Sequence, residues 1–163
     1  MRREGRAVYY LRLMHLNWHL KAFAQLSADE LYAILTLRQE VFVVEQNCVY
    51  LDTDGKDKKS HHVFSLNKQG LCSACLRIVS PGVSYAEVSI GRVASHESHR
   101  GTGHGRELMR EGMRAVQTVY GPVPVRISAQ SYLLRFYESF GFVQVGEPYM
   151  EDEIPHIQML YTP

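Results

Sequence analysis

Three glycines alternate in the segment Arg100-Gly101-Thr102-Gly103-His104-Gly105-Arg106, directly ahead of residues with the apolar spacing of a helix. Glycine lets the backbone approach a ligand closely and turn its N–H groups outward, and a helix start adds a partial positive charge. The segment therefore reads as an anion site. A pyrophosphate suits it, because Arg100, His104 and Arg106 supply side-chain donors. A flexible turn that needs left-handed backbone would use the same glycines. Two other phosphate-binding loops fail on the residues themselves. A Walker A loop needs Lys and then Ser or Thr after its last glycine, where this chain has Arg106 and Glu107. A dinucleotide fingerprint needs its third glycine at position 106, which is Arg, and a parallel strand unit where this chain reads as a meander.

Metal chemistry is not expected. His61-His62 with Cys72 and Cys75 has a zinc-like composition, but two cysteines three apart on a strand point their thiols to opposite faces. Asp52-Thr53-Asp54-Gly55-Lys56-Asp57 has a calcium-loop look, yet its glycine comes too early and Val63 stands where the bidentate Glu belongs. It reads instead as a solvated loop bordering a cleft.

The frame that must position the glycine loop begins with a strand at Trp18, Leu20 and Ala22. Ser27-Ala28-Asp29-Glu30 then has the spacing of a helix capping box. The apolar stripe of that helix runs Leu31, Ile34, Leu35, Val41 and Phe42, and Arg38 falls on it, so an inward guanidinium needs an acidic or carbonyl partner. Residues 47–60 read as a loop. Residues 62–66, 71–79 and about 86–94 alternate like the arms of an antiparallel meander, which leads into the glycines. Leu108, Met109, Gly112, Met113, Val116 and Val119 share one face of the next helix, ended by Gly121-Pro122. A strand at 123–128, a helix at 131–140 stopped by Gly141, and strands at 142–145 and 157–161 complete the order. A strand, crossover helix and parallel strand beside a meander predict an α/β (α+β) domain, with a central mixed, mostly antiparallel sheet of six to seven strands flanked by helices.

Composition agrees with one domain. The 163 residues are 45% apolar, enough to bury a core without disulfides, and no stretch approaches the apolar length of a membrane span. Three cysteines with no secreted framework suit a reducing compartment, so a cytoplasmic location is expected. A net charge of +1 gives no reason to expect a nucleic-acid or membrane partner. Four of the 18 basic side chains, Arg2, Arg3, Arg6 and Arg12, lie in the first 13 residues against Glu4 alone. Residues 1–13 thus read as an extension and 14–163 as the domain, with a basic arm that touches a partner as the other reading.

Arg100-x-x-Gly103-x-Gly105 between a strand and a helix resembles the acyl-CoA-binding motif of the GNAT superfamily of N-acetyltransferases. The block Gln130-Ser131-Tyr132-Leu133-Leu134-Arg135-Phe136-Tyr137-Glu138-Ser139-Phe140-Gly141-Phe142 is similar to that family's Asn-x-x-Ala-x-x-x-Tyr-x-x-x-Gly-Phe signature, at the right interval. Leu37 to Gln46, Asp52 to Gly55, Ile90 to Val93 and Tyr149 to Ile157 further resemble the ElaA-type branch. Two departures stand out: Gln130 where many members have Asn, and Glu153 where this branch has Gly.

The resemblance implies a single GNAT-like domain that moves an acetyl group from acetyl-CoA to a primary amine of a small molecule or peptide. It implies that the backbone of Val93, Ala94 and Ser95 aligns the pantetheine arm and thioester. Arg100, Gly101, Thr102, Gly103, His104, Gly105 and Arg106 would hold the pyrophosphate, with an amide contact from Gln130. Tyr137 would protonate the departing thiolate, although its place on a helical face with Leu133, Phe136 and Phe140 also suits a core residue. Glu87 is a candidate base, because it shares strand parity with Ser89, Gly91 and Val93, which faces it either to the acceptor or to solvent. Arg38, Glu45, Glu151, Asp152 and His156 are candidates for the acceptor side, and with Glu87 and Glu153 they predict an acidic end that attracts an ammonium. A binding module without turnover, or acyl transfer in a signal synthase, would use the same fold.

Overall fold

The computed structural model describes residues 16–163, so the extension expected at 1–13 lies outside the described residues. Helix α1 (Ala28–Arg38) starts as its capping box predicts: Glu30 N donates to Ser27 Oγ and Ser27 N donates to Glu30 Oε2. The helix does not stop at Arg38. It widens into a π-helical segment, Gln39–Glu45, that carries Val41 into the core and Phe42 to a cleft.

Seven strands form one sheet: β1 (Trp18–Ala22), β2 (Ser60–Leu66), β3 (Cys72–Val79), β4 (Val88–Ser95), β5 (Val125–Gln130), β6 (Phe142–Glu151) and β7 (Ile154–Tyr161). Their spatial order is β1-β2-β3-β4-β5-β7-β6. Every neighbouring pair is antiparallel except β4 with β5, which α2 (His104–Tyr120) joins by a crossover. The expected mixed, mostly antiparallel sheet is thus observed. No helix among the described residues is long and apolar enough to cross a membrane.

The sheet is covered on both faces. Leu108, Met109, Ala115 and Val116 of α2 pack on Leu76, Ile78, Val88, Ile90 and Ile127, and Tyr137 of the short helix α3 (Leu134–Glu138) joins them. Gly112 lets α2 approach closely, since a Cβ there would stand 2.5 Å from Leu76 Cδ2. On the other face, Ala33, Ile34, Leu37 and Val41 pack on Phe64, Cys72, Cys75 and Ala94. Cys72 and Cys75 therefore share one face, contrary to the expected alternation. Leu66 pairs with Cys72 and Ser65 with Ala74, so Ser73 is an extra residue that slips the alternation by one. Among the described residues no three His, Cys, Asp or Glu side chains are grouped to hold a metal.

Strands β6 and β7 run further than expected. A bulge between Val145 and Tyr149 absorbs Pro148, and the chain reverses only at Asp152-Glu153, with φ of 49° and 64°. That left-handed pair is the hairpin turn in which glycine would be unstrained, which accounts for Gly being the residue expected at 153.

The inward Arg38 finds its partners in the 52–57 loop, which is not solvated as expected: Asp52 and Asp57 are buried. Arg38 Nε donates to Asp52 Oδ2 (2.8 Å) and Nη1 to Asp57 Oδ1 (2.6 Å). Arg77 Nη1 donates to Asp57 Oδ1 (3.2 Å) and Asp54 Oδ1 (2.7 Å). Arg92 Nε donates to Asp52 Oδ1 (2.7 Å), and its Nη2 lies 3.5 Å from Asp54 Oδ2. Arginine and aspartate alternate around a closed, neutral ring.

Removing one member of a buried pair strands the other in low dielectric, so Arg38→Ala should cost about 3–5 kcal/mol in urea unfolding. Burial alone would raise the carboxyl pKa values of Asp54 and Asp57, but hydrogen bonds from Arg77 and Arg38, respectively, hold both below the usual range. Because these folded values are depressed, the stability they add is full above about pH 4 and is lost as the pH falls through them. The urea midpoints of wild type and Asp54→Asn should converge below about pH 4; a constant gap down to pH 3 would contradict the pairing.

Candidate active site

Strands β4 and β5 pair only at Val88 with Val125 and Ser89 with Arg126. Beyond that point they diverge, because β5 continues along β7 for six residue pairs while β4 stays with β3. The divergence opens a cleft of about 840 Å³. Val93, Ala94 and Ser95 of β4 line one wall, Ile127 to Gln130 of β5 the other, and Tyr137 reaches in from α3.

The β4 wall is irregular where it matters. Arg77 pairs with Gly91 and Cys75 with Ala94, so Leu76 alone stands opposite Arg92 and Val93. Arg92 takes a φ of 52°, rare for a residue with a Cβ. Such a bulge takes backbone polar groups out of the ladder, and both unpaired residues, Arg92 and Val93, line the cleft.

At one end of the cleft stands the glycine loop. Gly101 (φ 71°) and Gly103 (φ 92°) adopt the left-handed backbone their types permit. Gly103 is the residue before α2, and no side chain caps the helix, so its first-turn N–H groups stay open to an anion. Thr102 Oγ1 donates to His99 O (2.5 Å) and contacts His104 Nδ1, which braces the loop from within. Arg100 lines the cleft, donating to Ser95 O and pairing with Glu45 Oε2 (2.8 Å). Arg106 is drawn aside: it donates to Ser139 Oγ (2.9 Å) and stacks over Phe136 and Phe140. Gln130 lies on the β5 wall with its amide toward Gln46 (3.4 Å).

Tyr137 is buried, and its burial, with some contribution from Tyr132, pushes the phenol up to about 12. It stays protonated through the physiological range. Its ring sits edge-on to Phe136 and Phe142, so both the core position and the cleft position anticipated for it are realised at once.

The far end of the cleft is lined by Tyr85, Ser128, Glu151, Asp152 and His156 on one flank, and by Asp54, Lys56, Arg77 and Arg92 on the other. Four expected residues do not belong there, the first being Glu153, which sits in the β6–β7 turn off the cleft wall. Arg38 is 1% exposed and bound up in the ring, so it supports the wall instead of meeting a ligand. Glu45 is taken by Arg100 at the glycine-loop end. Glu87 is clamped by Arg126, whose Nε and Nη2 donate at 3.0 and 2.7 Å, and this hydrogen bonding holds its carboxyl down to about 2, a poor proton acceptor. The remaining expected acids, Glu151 and Asp152, are exposed and line the cleft, as does Lys56.

His156 is better placed to accept a proton. Its Nδ1 lies 2.7 Å from the carbonyl oxygen of Ile154, which can only accept, so Nδ1 carries the hydrogen and the Nε2 lone pair is left free. Stacking on Tyr149 fixes the ring plane.

Residues 56–163 match the family model described as an acetyltransferase (GNAT) domain. The chain is 40% identical to protein ElaA of Escherichia coli over 146 residues, 88% of this chain and 95% of that protein. Its structure matches that of E. coli ElaA with a TM-score of 0.85 and 38% identity, covering 90% of this chain and 99% of that one. It also matches an acyl-CoA N-acyltransferase from Pseudomonas aeruginosa with a TM-score of 0.87 and 43% identity, covering 91% and 100%.

If the glycine loop is the pyrophosphate site, Gly103→Asp should weaken binding of coenzyme A about a hundredfold or more, because the new carboxylate takes the first-turn N–H groups itself. Gly103→Ala shares the backbone strain without the charge and should lose much less. Equal losses in calorimetry of the two folded variants would contradict the assignment.

Proposed function

The chain belongs to the GNAT acetyltransferase family and is an acyl-CoA-dependent acyltransferase, and on that premise we propose that its donor is acetyl-CoA, its acceptor a primary amine, and Tyr137 its proton donor. The observation that carries this reading is the diverging β4–β5 pair. It opens one cleft from the uncapped start of α2, past Val93, Ala94 and Ser95 of β4, to a polar far end.

In this reading the pyrophosphate sits on the glycine loop and the pantetheine arm follows β4, so the thioester arrives between Val93 and Tyr137. The amine enters from the far end, where Glu151 and Asp152 attract its ammonium form and His156 Nε2 accepts the proton that must leave before nitrogen can attack. Backbone N–H groups at the bulge stabilise the oxyanion that forms as the C–N bond closes. Collapse of that intermediate breaks the C–S bond. A phenol at about 12 is a weaker acid than a thiol of about 8.5, so Tyr137 first donates a hydrogen bond to the departing sulfur and passes its proton over only as that proton is replaced. The second proton lost by nitrogen returns, through solvent, to the Tyr137 oxygen, so sulfur leaves as the thiol and the phenol is restored.

The acceptor end is narrower in its charge than the sequence implies. With Glu45 and Glu87 neutralised by arginines and Glu153 off the cleft wall, Glu151 and Asp152 are the expected acids that remain to select a cation, and Lys56 lines the same cleft. A histidine with a free Nε2 on the same cleft as a protonated tyrosine favours turnover over a binding module.

Incubation with acetyl-CoA and a panel of polyamines, lysine peptides and amino sugars, read by mass spectrometry, should yield one class of acetylated amine. With that amine, Tyr137→Phe should lower kcat about ten- to a thousandfold while acetyl-CoA affinity holds. His156→Gln should lower kcat about tenfold or more, and Glu87→Gln should leave it unchanged. An unchanged kcat for Tyr137→Phe under conditions where transfer limits the rate would return that residue to the core.

A further inference from the structure

The bulge on β4 departs from the regular ladder and must be held there by its surroundings. A regular continuation of the β3–β4 ladder would pair one residue with one residue, and slipping the register by one would turn each side chain and backbone group of Val93 to Ser95 to the opposite direction. Arg92 is where the irregularity is concentrated. It is the residue with φ of 52°, in a region that a side chain with a Cβ leaves unless its surroundings over-determine it.

Its surroundings do so from three directions. Arg92 Nε donates to Asp52 Oδ1 (2.7 Å) and Nη2 to the carbonyl oxygen of Asp52 (3.3 Å). Its guanidinium carbon lies over the rings of Phe42 and Tyr50, at 5.9 and 5.6 Å from their centroids. Asp52 and Asp54 are themselves fixed by Arg38 and Arg77 through the closed ring. The π-helical segment, the 50–57 loop and β3 thus all pull on one side chain. That side chain belongs to the residue immediately before Val93.

We propose that Arg92 is a positioning residue: the ion-pair ring holds its guanidinium between Phe42 and Tyr50, and this fixes the β4 bulge so that the backbone of Val93 to Ser95 is aimed at the thioester carbonyl. The inference rests on the thioester lying along β4. Loss of the clamp lets the bulge relax toward a regular ladder and removes the hydrogen bond to the carbonyl. Pyrophosphate contacts at residues 101–106 depend on the glycine loop and α2, so within the loop only Arg100, which donates to Ser95 O, is coupled to the bulge. The fold survives the loss, since Asp52 keeps Arg38 and Asp54 keeps Arg77.

The test is isotope-edited infrared spectroscopy of bound acetyl-CoA carrying 13C at the acetyl carbonyl. A hydrogen bond from a backbone N–H lowers the carbonyl stretching frequency, so the wild-type complex should absorb below free acetyl-CoA. Arg92→Gly accepts the left-handed backbone without strain but has no guanidinium, and Arg92→Lys keeps the charge but cannot span Asp52 and Asp54. Both should lose most of the lowering, while coenzyme A affinity by calorimetry stays within about threefold of wild type. Should Arg92→Gly fail to fold, Arg92→Lys carries the comparison. A lowering retained in the folded variants overturns the role of Arg92 alone. No lowering in wild type overturns the placement of the thioester on β4, and the role of Arg92 falls with it.

Discussion

Three arginines and three aspartates alternate around a closed ring beneath the cleft, and the geometry around the site follows from the need to keep all six paired. A buried charge that loses its partner is strongly unfavourable, so the elements that carry these residues cannot move independently. Arg38 comes from α1, the aspartates from the loop after it, Arg77 from β3 and Arg92 from β4. The ring therefore ties the helix on one face of the sheet to the strand that borders the cleft. Being neutral, it leaves the character of the far end to the few groups it does not absorb.

Divergence of β4 from β5 is the second constraint, and it has an equally plain cause. Strand β5 is paired along its length with β7, β4 is paired with β3, and the two share only two register positions. Each wall is thus held from its outer side, and the gap between them needs no dedicated support. A cofactor arm laid in that gap meets backbone from β4 and the Tyr137 ring from α3, while the open start of α2 meets its anionic end. Position in the fold, more than any single side chain, brings these groups onto one line.

The parts of this arrangement that are local in sequence were legible in the residues. The capping box at Ser27, the alternating glycines before α2, Tyr137 in its signature block and Gly141 as a helix stop all depend on neighbours within a few positions, although the helix expected over 131–140 is a 3-10 turn, Ser131–Leu133, followed by the short α3. The inward Arg38 announced that a partner existed without saying which one. Its partners lie 14 and 19 residues away, and Arg92 reaches Asp52 across 40, distances at which a loop rich in Asp and Lys looks solvated. Glu87 shows the same limit: strand parity left it facing the acceptor or solvent, and in the structure it is off the cleft wall, neutralised by Arg126, 39 residues on. Bulges were the other blind spot. The slips at Ser73 and after Val145, and the one at Arg92, each break the two-residue alternation from which strand faces and lengths are read.

The central claim is that one cleft, from the glycine loop along β4, receives the acyl donor. Hydrogen–deuterium exchange with and without saturating acetyl-CoA tests it most directly, because it reports on backbone amides without needing to know the acceptor. Slowed exchange at 93–95 and 101–106, with residues 110–125 at the far end of α2 unchanged, is the result this account predicts. Protection confined to 110–125, where Arg110, Met113, Pro122 and Tyr161 line a separate hollow of about 380 Å³, would contradict it.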